Sequence, residues 1–274
     1  MIEYESKFFN AKDVLECGQI FRFRPFEKGY FVCAEDKACY VYTEEGRTVI
    51  ESDDEEYFNN FFDLLTDYSV IYDFAEKCGY PVVVKAAKLG KGVRILRQNK
   101  EEMLFSFIVS QNNHIPRIKG CIERMSRDLG EKKSFKGETF YSFPKAESIY
   151  RAGEKYFAEN AFGYRAGYMS ACAESVLNGF DLEKLSSLPT KELKKQLLTL
   201  HGVGPKVADC ISLFGYHRTD SFPVDTWIEK LYREDFGGTL KDRNKITDFF
   251  LDTFGENSGY VQQYIFYYKR SLEQ

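Results

Sequence analysis

The sequence has no apolar run of roughly 18 residues, so no segment reads as a membrane-spanning helix and no membrane partner is expected. It opens MIEYESKFF, without the basic start and apolar stretch of a signal peptide. The expected location is therefore cytoplasmic, and nucleoid-associated if the chain is prokaryotic. Its seven cysteines (Cys17, Cys33, Cys39, Cys78, Cys121, Cys172 and Cys210) include no C-x-x-C pair. That excludes the common zinc spacings and points to reduced thiols. No cysteine follows Cys210. Basic residues are not in excess either: 38 Lys and Arg face 42 Asp and Glu, for a net charge of −4. Taken whole, that balance argues against a nucleic-acid partner. No repeat or low-complexity segment stands out.

The distribution of charge reverses that first impression. Residues 1–84 hold 8 Lys/Arg against 18 Asp/Glu, net −10, and residues 85–133 hold 12 against 5, net +7. Residues 134–274 are nearly balanced, 18 against 19. A basic middle beside an acidic first third fits one DNA-facing surface on an otherwise acidic protein, although a merely solvated face would give the same count. With 25 Phe and 19 Tyr the chain is rich in rings, which suits both a large core and stacking on bases.

The fold class reads as α+β: a small antiparallel sheet domain followed by a multi-helix body. IFRFRPF (20–26), GYFVCAE (29–35), ACYVYTE (38–44) and RTVIES (47–52) are short β-branched or aromatic runs separated by turn-like pairs, as in a meander. A helical pattern starts in 51–65, with Tyr57, Phe58, Phe61, Phe62 and Leu65 on one face. From about residue 99 the chain reads as almost wholly helical, beginning with a capping-box pattern of Asn99 and Glu102. Further helices are expected at 117–129, 144–158, 163–178, 190–200, 205–214, 225–236, 242–254 and 259–272. Domains are expected at 1–98 and 99–274, the latter divisible into two helical subdomains.

The stretch LLTLHGVGPKVADCISLFG (197–215) carries the chemistry. A helix runs into Gly202-Val203-Gly204, and Pro205 suits the first position of the next helix. The glycines allow a tight turn and close approach of another molecule, and the free N–H groups of a helix start favour an anion such as a phosphate. This is a helix-hairpin-helix pattern, though a plain interhelical turn would look similar. Lys206 sharpens it, because a cation in a first helical turn is opposed by the macrodipole. That field with partial burial favours the nucleophilic free amine. Lys206 and Cys210 are four apart and share a helical face. Downstream, SFPVDTW (221–227) makes Asp225 an N-cap, and a carboxylate there has a second use in stabilising an oxocarbenium-like sugar.

With the glycine hairpin, Lys206 and Asp225 in place, the sequence resembles the helix-hairpin-helix/Gly-Pro-Asp superfamily of DNA glycosylases, and within it the 8-oxoguanine DNA glycosylases. The resemblance spans CGQIFRF (17–23), GVRILRQNKEEMLFSFIVSQNNHIPRI (92–118), GYRAGY (163–168), LHGVGPKVADC (200–210), PVD (223–225) and, more weakly, GYVQQYIF (259–266). It implies a bifunctional glycosylase/AP lyase of base excision repair, with Lys206 as nucleophile and Asp225 as catalytic carboxylate. Gly18 would accept a hydrogen bond from N7–H of the lesion, where normal guanine presents a lone pair. Cys210 and Phe266 would sandwich the flipped base, and Gln262 would read its pairing edge. Asn112, Arg117 and Arg165 would contact the orphaned cytosine while Tyr164 wedges into the gap. Gly202, Val203 and Gly204 would meet the DNA backbone.

The resemblance further implies a monomer acting on double-stranded DNA with 8-oxoguanine opposite cytosine. It requires no cofactor, allows a structural monovalent or divalent cation at the hairpin, and implies no iron–sulfur cluster, since sister enzymes that bear one use cysteines near the C-terminus. Departures from the family pattern are Trp227, where eukaryotic members carry histidine, Pro116, and His201 ahead of the glycines. The alternatives are a 3-methyladenine-type glycosylase, which typically lacks the lysine, and a noncatalytic DNA-gripping hairpin, which would need neither Lys206 nor Asp225.

Overall fold

The computed structural model describes residues 1–272. Strands β1 (Ile2–Glu5), β2 (Phe23–Phe26), β3 (Gly29–Ala34), β4 (Lys37–Glu44) and β5 (Arg47–Ser52) form an antiparallel sheet in the order β1-β5-β4-β3-β2. The four expected strands are present; β1 joins the outer edge of β5 and was not expected. The period-two alternation of strands sorts the side chains to two faces. Val32, Cys39, Val41 and Ile50 pack with helices α1 (Ala11–Glu16) and α2 (Glu55–Phe61). Phe31 and Tyr40 point to the other face.

That second face is covered by a hairpin where the sequence predicts helix. Within the stretch read as almost wholly helical, residues 132–141 form a hairpin, β6 (Lys132–Phe135) and β7 (Glu138–Tyr141). Its Phe135 and Phe140 pack on Phe31 and Tyr40. The turn residues Lys136 and Gly137 both have positive φ, 50° and 77°, the geometry that suits a two-residue hairpin. The aromatic load is thus spent largely on covering the sheet and filling the core.

Helix α2 is shorter than expected. Asp54 caps it, accepting from Tyr57 N at 3.0 Å, and it ends before Asp63, whose φ is +54°. Leu65 therefore leaves the apolar face and is 89% exposed. Helices α3 (Tyr68–Lys77) and α4 (Pro81–Leu89) follow, then α5 (Lys100–Ser110) and α6 (Ile115–Leu129). Next come α7 (Ala146–Glu159, broken at Gly153), α8 (Arg165–Leu177), α9 (Thr190–Leu197), α10 (Pro205–Gly215), α11 (Thr226–Asp235), α12 (Arg243–Phe254) and α13 (Ser258–Ser271). Buried residues of α3 and α4 share one large core with α5, α10 and α13. No described helix is long and apolar enough to cross a membrane.

Two buried polar joints fix the sheet to the helices. Asn99 caps α5 by accepting from Glu102 N at 2.9 Å, but the reciprocal half of the capping box is not made. Glu102 instead pairs with Arg22 at 3.1 Å and accepts from Glu35 N at 2.8 Å. Burial raises the Glu102 carboxyl above its usual range, against the pull of Arg22. In the second joint, Gln19 donates to Arg94 O at 2.7 Å and accepts from Leu96 N at 2.8 Å. The fully buried Arg94 donates to the carbonyls of Phe8, Phe62, Asp63 and Thr66, so its charge is dispersed over backbone dipoles. Gln19 adjoins Gly18, so this joint anchors one wall of the candidate site.

Candidate active site

The helix-hairpin-helix is formed by α9 and α10 across residues 198–204. Gly202 has φ +87°, and a side chain there would run into Tyr168, so the position needs glycine on two counts. The turn is closed by Val203 N donating to Leu200 O at 3.1 Å and held from outside by Gln111 Nε2 donating to Gly202 O at 2.9 Å. Gly204 is the N-cap of α10, with open space around its α-carbon and no side-chain cap. The uncapped helix start therefore faces outward, available to an anion.

Pro205 and Lys206 open α10, and Lys206 Nζ lies 5.5 Å from the centroid of the Phe107 ring. One turn on, Cys210 is buried. Burial pushes its thiol up to about 11, although the Lys206 ammonium beside it pulls the other way. At neutral pH Cys210 is thus a neutral, polarisable surface one helical turn from the Lys206 amine. Asp225 does cap α11, accepting from Trp227 N at 3.0 Å and Ile228 N at 2.9 Å. It also lines the pocket into which Lys206 opens.

That pocket is bounded by Gly18, Lys206, Cys210, Asp225, Gln262 and Phe266, all named from the sequence. Cys17, Phe107, Phe214, Pro223 and Gln263 complete its walls. Phe107 and Phe214 stack at 5.4 Å and 14°, forming the apolar floor. Gln263 is 2% exposed and donates to Cys17 O at 2.7 Å, which fixes the turn holding Gly18. Gln262 is also buried. Its Nε2 meets Pro223 O at 3.4 Å, while Oε1 has no hydrogen-bond partner. A buried acceptor left open in a pocket wall is costly unless a ligand donor satisfies it. The cavity measures about 50 Å3. That is room for roughly three or four waters, less than a purine needs. Two roomier clefts, of about 290 and 440 Å3, lie elsewhere, both bordered by Asn99 and Glu101, and do not include the Lys206–Asp225 pair.

The second predicted group gathers where the loop between α5 and α6 meets the start of α8. Asn112 is exposed with φ +44°, a conformation asparagine tolerates. Arg117 is exposed and donates to Ala161 O at 2.9 Å. Tyr164 is 53% exposed, with its hydroxyl donating to Gln111 O at 3.3 Å. Arg165 is buried instead. Its guanidinium donates to the carbonyls of Gln111 (2.8 Å from Nε), Asn112 (2.9 Å) and Phe162 (3.2 Å). In this structure Arg165 thus shapes the loop from within. Gln111, not singled out from the sequence, joins the two groups: its side chain holds the hairpin and its carbonyl receives Tyr164 and Arg165. Trp227, the one tryptophan, is 40% exposed two residues beyond Asp225. Among the described residues no three His, Cys, Asp or Glu side chains are grouped to hold a metal.

Comparison with known proteins gives the family of the chain. Residues 1–104 match the family model described as the N-terminal domain of 8-oxoguanine DNA glycosylase. A probable N-glycosylase/DNA lyase of Methanothermobacter thermautotrophicus is 30% identical over 229 residues, covering 76% of this chain and 72% of that protein. An N-glycosylase/DNA lyase of Arabidopsis thaliana is 34% identical over 209 residues, 71% of this chain but 56% of the plant protein, so the chain spans little more than half of that relative. The crystal structure of the Clostridium acetobutylicum 8-oxoguanine glycosylase/lyase, in complex with double-stranded DNA containing cytosine opposite 8-oxoguanine, superposes with a TM-score of 0.92. It is 36% identical, covering 100% of this chain and 99% of that one.

Proposed function

Because the chain belongs to the family of 8-oxoguanine DNA glycosylases that act as N-glycosylase/DNA lyases, we propose that it excises 8-oxoguanine from duplex DNA through Lys206, assisted by Asp225. The observation that carries this assignment of roles is the convergence of Gly18, Lys206, Cys210, Asp225, Gln262 and Phe266, drawn from distant parts of the chain, on one pocket.

The extruded base enters between Cys210 and Phe266. Its N7–H donates to the carbonyl of Gly18, and its pairing edge meets the open acceptor of Gln262. Normal guanine, with an acceptor at N7, would leave a buried carbonyl facing a lone pair, and an unpaired polar group of that kind costs about 1–3 kcal/mol. The free amine of Lys206 attacks the anomeric carbon as the base leaves with the glycosidic electron pair. Asp225 supports the positive charge that develops on the sugar. The bond from that carbon to the ring oxygen then breaks, the oxygen taking up a proton that the amine gives up, and the Schiff base results; loss of a C2′ proton from it expels the 3′ phosphate and so cleaves the strand by β-elimination. The outward-facing start of α10 and the hairpin at Gly202, Val203 and Gly204 hold the backbone, offsetting the few kcal/mol spent on extrusion.

Asn112 and Arg117 are assigned to the orphaned cytosine and Tyr164 to the gap beside it, while Arg165 would reach the cytosine only by leaving the carbonyls of Gln111, Asn112 and Phe162 that hold it now. Enzymes of this family need no cofactor. A structural cation at the hairpin would be held by backbone oxygens, since Gly202 and Gly204 offer no side chains. The protein is further proposed to work inside the cell as a monomer, with a sheet domain (1–98) that lends α3 and α4 to the core of the helical body (99–274).

The test is borohydride trapping on a duplex with one 8-oxoguanine opposite cytosine, comparing the native chain with Lys206→Gln. A covalent adduct from the native protein that the variant loses is expected. A folded, DNA-binding native protein that gives no adduct would overturn the assignment.

A further inference from the structure

Beyond the pocket, α13 continues the face that lines it. Gln262, Phe266 and Arg270 are spaced by four and share one side of the helix. Arg270 Nη1 donates to Glu16 O at 2.8 Å and lies 3.6 Å from where a Cβ on Gly18 would be. From another direction, α6 brings Lys119 to the same corner, its Nζ 3.3 Å from the centroid of the Phe23 ring. Neither cation has a carboxylate within ion-pair distance among the described residues. The acid nearest Lys119 in influence is Glu16, whose Oε1 is engaged by Tyr30 OH at 2.8 Å. Partial burial and the neighbouring Arg270 charge push the Lys119 ammonium down to about 8.

Two half-buried like charges from separate helices, with no carboxylate within ion-pair distance of either among the described residues, are unfavourable on their own. Phe23 gives the ammonium a π face but no charge. The missing partner is an anion that arrives with a ligand. Resting on the family reading above, we propose that Lys119 and Arg270 form an anion subsite beside Gly18 that grips one DNA phosphodiester near the extruded nucleotide. Arg270 reaches Gly18 from α13, whereas the hairpin joins α9 and α10, so the backbone would be held by side-chain cations at one station and by helix N–H groups at the other. A lysine on a ring face and an arginine tied to a carbonyl are both restrained before DNA arrives, so less ordering is required on binding.

The test is equilibrium binding of the full chain, in a Lys206→Gln background to prevent turnover, to a duplex with one 8-oxoguanine opposite cytosine across a KCl series. The Lys119→Met/Arg270→Met double variant is expected to lower the slope of log K against log salt by about 0.9, the share of one phosphate. Lys119→Arg, which keeps the charge, is expected to hold the native slope. If the double variant does not fold, the single variants Lys119→Gln and Arg270→Gln carry the same measurement, each with a shallower slope expected. Slopes equal to the parent's in folded variants would overturn the subsite. Borohydride trapping of the otherwise native chain, run alongside, separates that failure from failure of the family reading, which loss of the native adduct would mark.

Discussion

The ring of Phe266 rests on the bare α-carbon of Gly18: a Cβ placed there would lie 2.8 Å from Phe266 Cε1, and Gly18 has φ +89°. The two residues assigned to opposite tasks, one reading the lesion and one stacking on it, are thus in contact across the pocket. Gly18→Ala must both enter a left-handed conformation, at about 1–2 kcal/mol, and displace the ring. Thermal or denaturant unfolding is expected to register about that loss. Excision by the folded fraction is expected to fall at least tenfold, and a variant with native kinetics would contradict the contact's importance.

Asp225 has two jobs that can be separated. Asparagine caps a helix about as well as aspartate, whereas alanine costs about 1 kcal/mol. Asp225→Asn is therefore expected to unfold within a few tenths of a kcal/mol of the native protein while single-turnover excision drops by roughly 10²–10⁴-fold. Asp225→Ala is expected to lose both. Equal rates for the native and asparagine forms would reduce Asp225 to a cap.

Cys210 is the rival nucleophile in the pocket, and its thiol is pushed up to about 11. At pH 7 its modification by iodoacetamide is expected to be slow even where the reagent reaches it. Cys210→Ala is expected to keep the borohydride adduct and to weaken substrate binding by up to about tenfold, the range of a sulfur–aromatic contact. Loss of the adduct in this variant would move the chemistry off Lys206.

Asp209, next to Cys210 on α10, is 3% exposed, with Lys194 of α9 2.5 Å away. Burial outweighs that pairing and raises its carboxyl from 3.8 to about 6. The folded protein then holds a proton there that the unfolded chain has released, so this group's contribution to stability falls as pH rises from about 4 to 6. The change is on the order of 2–3 kcal/mol. Denaturant unfolding of the native chain and Asp209→Asn across that range is expected to show the native protein's relative stability declining as pH rises. A constant difference would show that Lys194 offsets burial fully.

Lys206 and Asp225 were legible because local turn chemistry announces them: glycines and a proline around one, a capping position before an amphipathic helix for the other. Phe107, Gln111 and Gln263 were not, because each acts through a partner far away in sequence, and nothing in its own neighbourhood marks it. The β6–β7 hairpin did carry a signal, the Lys136-Gly137 turn, but four-residue strands between helices are outweighed by the surrounding helical pattern. Glu102 shows a motif overruled by tertiary structure, since its side chain leaves the capping box for Arg22.

The smallness of the cavity proposed to take the base, about 50 Å3, bears on the enzyme's search among undamaged bases. A receptacle already shaped to a purine would admit every guanine that breathes out of the helix. One that is narrow at rest levies an opening toll on each visitor, and on the roles proposed for Gly18 and Gln262 only a base that satisfies both recovers it. With roughly 10⁶–10⁹ competing genomic sites, rejection at the doorway shortens each futile visit, so a tight resting chamber makes for a faster patrol.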